Sequence, residues 1–339
     1  MSDNYISNKK PFFPVSKSLM TYLSMYSREM PISILYSDLR HYQDTIPLED
    51  NTGKATLWET ALYPETQMQE LNEGLIEIYS ILKSDGATHI NHLSVDRIDY
   101  CEFGNSKPFR VKIINQINDN YDYFYVKKID ASRIYGLELE HILSPNKINY
   151  FVYKDTIIEE HIVGIPGDQF IEVNLKEEGH NEVRLAKEFV KFNERCFIRL
   201  LGDMRSYNFV VDITPDFDQI QYRIRAIDFD QQSFEGRKNM YLPQFYKENK
   251  AFVELAVRNM SHETVEQYKV EERALMAKRL RLAEYQINKL LGAMVQDELS
   301  LPIHIDDLRT DLSKHYSHKS FMDCKTMGEI VKECLDIIR

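Results

Sequence analysis

The chain has 339 residues, 43% hydrophobic and 28% charged, the composition of an ordinary globular protein long enough for two lobes or domains. Its formal charge of −11 at pH 7 argues against nucleic acid and membrane surfaces as partners, because an acidic surface repels phosphate backbones and anionic lipid. No run of about eighteen apolar residues occurs, and the N-terminal MSDNYISNKKPFFPV has no apolar signal core. Cys101, Cys196, Cys324 and Cys334 form no CxxC pair. They are expected as reduced packing residues of a cytoplasmic protein.

In chain order, residues 1–85 read as a mostly helical N-terminal extension. Met68, Leu71, Leu75, Tyr79 and Leu82 recur at helical spacing, and Asp85-Gly86 closes that helix. Strand patterns then run through 88–129, with turns at Gly104-Asn105-Ser106 and Asn118-Asp119-Asn120, as in an antiparallel meander. SRIYGLELEHIL, residues 132–143, is a helix closed by Pro145. INYFVYKDTIIEEHI supplies two more strands, and Gly164-Ile165-Pro166-Gly167 breaks the chain. The strand-rich part with its one helix therefore spans 86–165. Residues 166–339 read as helical with one embedded hairpin. Leu185, Phe189, Phe192, Cys196 and Leu200 form an apolar stripe that runs into Gly202-Asp203. FVVDI and IQYRIRAID are strands around the polar turn Thr214-Pro215-Asp216, and 264–295 is a long charged amphipathic helix. This order makes the fold class α+β with two unequal lobes.

Two short stretches carry the chemistry. Asp203-Met204-Arg205-Ser206-Tyr207-Asn208 puts a carboxylate and a carboxamide five residues apart, between a helix and an apolar FVV strand. Ile227-Asp228-Phe229-Asp230 adds carboxylates at the end of the second strand. On spacing alone the first stretch is a polar turn, since Asp and Asn are common turn residues; its flanking elements favour a site.

On these residues, the region from about 88 to 235 resembles the protein-kinase-like superfamily, nearest in style to the aminoglycoside-phosphotransferase branch, with a loop also similar to that of tyrosine kinases. The resemblance implies a two-lobed fold, with a small antiparallel-sheet lobe and a larger helical lobe. It also implies transfer of the γ-phosphoryl of MgATP to a hydroxyl on a small molecule or a protein. Asp203 would be the base, Arg205 a cation for the transferring group, and Asn208 and Asp228 the Mg²⁺ ligands. Lys127 in FYVKKI would clamp the phosphates. Lys128 points to the opposite face of the strand. Glu138, preferred over Glu140 for its apolar neighbours Ile134 and Ile142, would pair with that lysine. Ser106 would approach the phosphates, and the Glu160–Gly164 linker, with Ile162, would meet adenine through its main chain.

The chain departs from the family pattern in three places. Phe103–Pro108 has one glycine where several are usual, Leu201 stands where histidine is common, and Asp230 replaces a glycine. These changes make a nucleotide-binding or protein-interaction pseudokinase the alternative. Other constellations fall away. His89 and His92 face opposite sides of a strand, His315 and His318 lack a third ligand nearby, and no G-x-S-x-G or Walker pattern occurs. The 21 tyrosines lack basic interleaving along the sequence.

Overall fold

The computed structural model describes residues 10–50, 53–84, 92–177, 179–216 and 219–339. The chain is α+β, with a seven-stranded antiparallel sheet, a three-stranded sheet and eleven α-helices among the described residues. The order is α1 (Lys17–Met25), α2 (Tyr36–Leu39), β1 (Asp44–Glu49), β2 (Ala55–Leu62), α3 (Glu65–Ser84), β3 (Leu93–Tyr100), β4 (Phe109–Asn115), β5 (Tyr121–Lys128), α4 (Ala131–Leu143), β6 (Tyr150–Tyr153) and β7 (Thr156–Glu160). There follow β8 (Ile165–Pro166), α5 (Gly167–Glu172), α6 (Glu182–Ile198), β9 (Phe209–Asp216), β10 (Gln219–Ala226), α7 (Lys250–Asn259), α8 (His262–Leu282), α9 (Glu284–Met294), α10 (Pro302–Tyr316) and α11 (Met327–Ile338). No helix among the described residues is long and apolar enough to cross a membrane. All four cysteines are buried and free of disulfides.

The chain divides into two compact units. One holds Met20–Asp130 and Ile148–His161 among its residues, and with them the sheet ordered β1-β2-β3-β4-β5-β7-β6. Alternation sends Ile98, Tyr100, Val111, Phe124, Val126 and Ile158 to one face, where Leu71, Leu75, Ile78 and Leu82 of α3 complete the core. Each such side chain contributes roughly 1.5–3 kcal/mol on full burial.

The other face carries Trp58, Arg110, Tyr123, Tyr125 and Lys127. The Arg110 guanidinium lies 4.4 Å from the Trp58 ring and 5.0 Å from that of Tyr123. Basic and aromatic residues thus interleave across strands, though not along the sequence. Arg110 nevertheless pairs with the fully buried Asp99 at 2.8 Å.

The other unit holds Lys10–Leu19, Ala131–Lys147 and Ile162–Arg339. Its small sheet is ordered β10-β9-β8. Helix α6 starts at Asn181, whose side chain accepts the Arg184 amide. It packs its apolar stripe against α7, α8 and β10.

Several sequence expectations change. The described part of residues 1–85 is not mostly helical: β1 and β2 form a hairpin, and Glu59 and Thr60 join it to β3 opposite Tyr100 and Asp99. Most of β1 is exposed, so no apolar alternation marks it. Helix α4 groups with the second unit, not with the strands. It is buried on nearly every side, as it packs on α8 and α9. Strand β9 continues through Thr214-Pro215-Asp216, with Pro215 opposite Ile220, so these three residues are strand and not the turn expected. The 264–295 helix is two helices, α8 and α9, parted at Ala283. The unit boundary lies between His161 and Ile162. Ile165 and Pro166, read as a break, form the short strand β8 against Val211 and Val210. Gly164 precedes it at φ +155°, where a Cβ would come within 2.7 Å of Val210 Cγ2. The Asp85-Gly86 stop, His89 and the start of the 88–129 strands fall outside the described residues.

Candidate functional site

The second unit brings both motifs together, and the end of α6 is what does it. Leu201 N donates back to Cys196 O at 2.9 Å, with Leu200 left-handed at φ +57°. The chain then runs beside residues 231–233. Gly202 N donates to Gln231 O (3.2 Å) and Ser233 N to Leu200 O (2.8 Å). The Gln232 amide donates to Leu200 O (3.2 Å) and also to Arg199 O. Gln232, fully buried, thus braces this loop, in a chain where Leu201 offers no polar side chain.

Asp203 is left-handed at φ +54°, a conformation Asp tolerates better than most residues. Its amide donates to Tyr246 Oη (3.0 Å), and Tyr246 Oη donates to Met240 O (2.7 Å). Asn208 Nδ2 donates to the Asp203 carbonyl at 2.7 Å and lies 3.3 Å from its Oδ2. Arg205 Nε sits 2.9 Å from Asp203 Oδ1, and its NH1 is 3.6 Å from Glu248. Burial pushes the Asp203 carboxyl up to about 6. Arg205 opposes that rise, and the negative charge of Asp228 adds to it.

The second motif closes on the first through the hairpin ladder. Ala226 pairs with Phe209, and Ile227 N donates to Asn208 O at 3.0 Å. Asn208 and Asp228 therefore flank the same end of β9 and β10. Helix α4 then contributes an unforeseen residue. Arg133 NH1 donates to Asp228 Oδ1 (2.9 Å) and to Asp230 Oδ1 (2.7 Å), and Asp230 N donates to Asp228 Oδ1 (3.2 Å). Gly136, one turn on, makes this possible: a Cβ there would lie 2.9 Å from Phe229 Cβ. Helix and loop can approach so closely only without a side chain.

The remaining expected residues are distributed as follows. Lys127 is buried and Lys128 exposed, which separates the two lysines. Within the strand unit Lys127 Nζ pairs with Glu159 Oε2 at 2.8 Å. Glu159 stands two residue pairs along on β7, opposite Tyr125, a diagonal neighbour on the same face. Glu138 is in the other unit, where it accepts from Gln286 at 3.4 Å. Glu140 pairs there with Arg199. Ser106 lies in the β3–β4 connection, beside Lys107, which is left-handed and ion-paired to Glu102. Glu160 ends β7. Its amide donates to Asn149 O (3.0 Å) and its carboxylate accepts from Asn149 N (2.7 Å). Ile162 is buried.

Replacing Lys127 with Met is expected to lower stability by about 2 kcal/mol, the scale of a lost charged hydrogen bond. Lys127→Met/Glu159→Met should recover most of that, because both charges then leave together. Urea unfolding checks this, and an unchanged midpoint for Lys127→Met would contradict it.

Whether these residues suit Mg²⁺ turns on their oxygens. Donation by Asn208 Nδ2 assigns its Oδ1 as the acceptor, a hard ligand. Asp228 is about a third exposed (33%). Among the described residues no group of three or more His, Cys, Asp or Glu forms a metal cage. Mg²⁺ held beside nucleotide phosphates needs only one or two protein ligands, so the pair fits. Sequence reading missed Arg133, Glu159 and Glu248. None of the three carries a local signal in the sequence. No protein-family model and no curated protein matches the chain.

Proposed function

We propose that the chain is a phosphotransferase of the protein-kinase-like fold, moving the γ-phosphoryl of ATP to a hydroxyl acceptor. The supporting observation is the convergence of Asp203, Asn208 and Asp228 at one end of the β9–β10 hairpin. Asp203 would orient the acceptor hydroxyl and take its proton as the oxygen–phosphorus bond forms. The bond from the γ-phosphorus to its bridging oxygen breaks, and ADP leaves. Arg205, paired with Asp203 and Glu248, would hold the base in position. Asn208 Oδ1 and Asp228 would hold Mg²⁺, which supplies charge neutralisation for the phosphates. The pairing of Asp228 with Arg133 favours a second reading, a pseudokinase that binds nucleotide without transfer.

Thermal melting with and without MgATP tests the first step, since a ligand of the native state raises its stability. A rise is expected with MgATP, and Asp228→Asn is expected to abolish its Mg²⁺-dependent part. No shift in the wild-type chain would sink both readings. A shift without ADP release in the presence of candidate acceptors would favour the second.

A further inference from the structure

The Arg133 bridge does not behave as a movable latch. Its side chain is 1% exposed and that of Asp230 8%. Helix α4 is packed on Phe229 at Gly136 with no room for a methyl group, so withdrawing the guanidinium would require moving the helix. One guanidinium nitrogen lies within 3 Å of both carboxylates. Two carboxylates so close together repel each other, and a cation between them offsets that repulsion. In other sites that cation is a metal; here it is covalently part of the chain. Arg133 and the Asp230 amide both take Oδ1 of Asp228.

We propose that Arg133 is a resident cation of the phosphotransfer site, standing where a second divalent ion would bind between Asp228 and Asp230. The site therefore takes one divalent ion with the nucleotide. The inference rests on the phosphotransferase reading and adds to it a metal stoichiometry and a positioning residue. Asp230, which replaces the family's glycine, is then the second carboxylate that anchors the cation.

The test counts Mn²⁺ bound per full-length chain, by electron paramagnetic resonance with a non-hydrolysable ATP analogue present. One ion is expected for the wild type. Arg133→Gln uncovers the dicarboxylate and is expected to bind two, while its melting transition confirms folding. Two ions in the wild type, or one in folded Arg133→Gln, would overturn the inference and leave the phosphotransferase reading standing. No Mn²⁺ in the wild type would overturn both. Should Arg133→Gln not fold, Arg133→Gln/Asp230→Asn removes one charge of each sign. It is expected to bind one Mn²⁺ several-fold more tightly than the wild type, because Asp228 no longer shares its charge. Unchanged affinity would overturn the inference.

Discussion

Asp203→Asn is expected to lower turnover by about 10²–10⁴-fold, the usual contribution of a general base, with nucleotide binding unchanged. Asparagine keeps the shape and accepts a hydrogen bond but cannot take the acceptor's proton. Release of ADP and the MgATP melting shift report the two quantities separately. The wild-type rate should also fall as pH drops through about 6, where the Asp203 carboxyl becomes protonated. The same shift makes a stability prediction. The folded carboxyl binds its proton more tightly than the unfolded one, whose ordinary value is 3.8. Between those values the native state holds more protons, so this group's contribution falls as pH rises from about 4 to 6 and is fully unfavourable above 6. Asp203→Asn removes that cost. The variant should melt above the wild type at pH 8 and lose the advantage near pH 4. Retained turnover, or a lower melting temperature at pH 8 than at pH 4 relative to wild type, would contradict this account.

The second large effect is on folding. Glu140→Ala is expected to cost about 3–5 kcal/mol, because it strands Arg199 in the interior. Both side chains are almost fully buried and in direct contact. Burial pushes the Arg199 guanidinium down to about 9, and Glu140 is the carboxylate in direct contact with it. At roughly 2–4 °C per kcal/mol for a unit of this size, the melting temperature should drop by on the order of 10 °C. Glu140→Leu/Arg199→Met should restore most of it, since apolar side chains of similar volume often replace a buried pair at little cost. Calorimetry of the two variants decides the matter. A loss below about 1 kcal/mol for Glu140→Ala, the range of an exposed pair, would show that the pair is not sealed from water. The prediction also separates Glu140 from Glu138. Their burial is similar, but Glu138 accepts from the neutral amide of Gln286, whereas Glu140 is in direct contact with the Arg199 guanidinium.

Much of this could be read from residue order. The stripe from Leu185 to Cys196 marked α6, alternation in FVVDI and IQYRIRA marked β9 and β10, and the D-x-x-x-x-N spacing pointed to the loop between them. Other features left no local trace. Strand β1 is mostly exposed, so its pairing with β2 does not show as periodicity. The polar residues of α4 look like a solvated face in the sequence. They are instead buried charges with partners from Arg199 to Gln286.

Periodicity is local because each helix or strand repeats its own backbone hydrogen bonds, so the sequence by itself determined most elements and the spacing of Asp203 and Asn208. The tertiary structure alone decided that Arg133 meets Asp228 and Asp230, about a hundred residues away (95 and 97). It alone decided, too, that Lys127 meets Glu159 across two strands. Such charges find each other only after the chain has returned on itself, and the energy that selects the partner is the cost of burying either one alone.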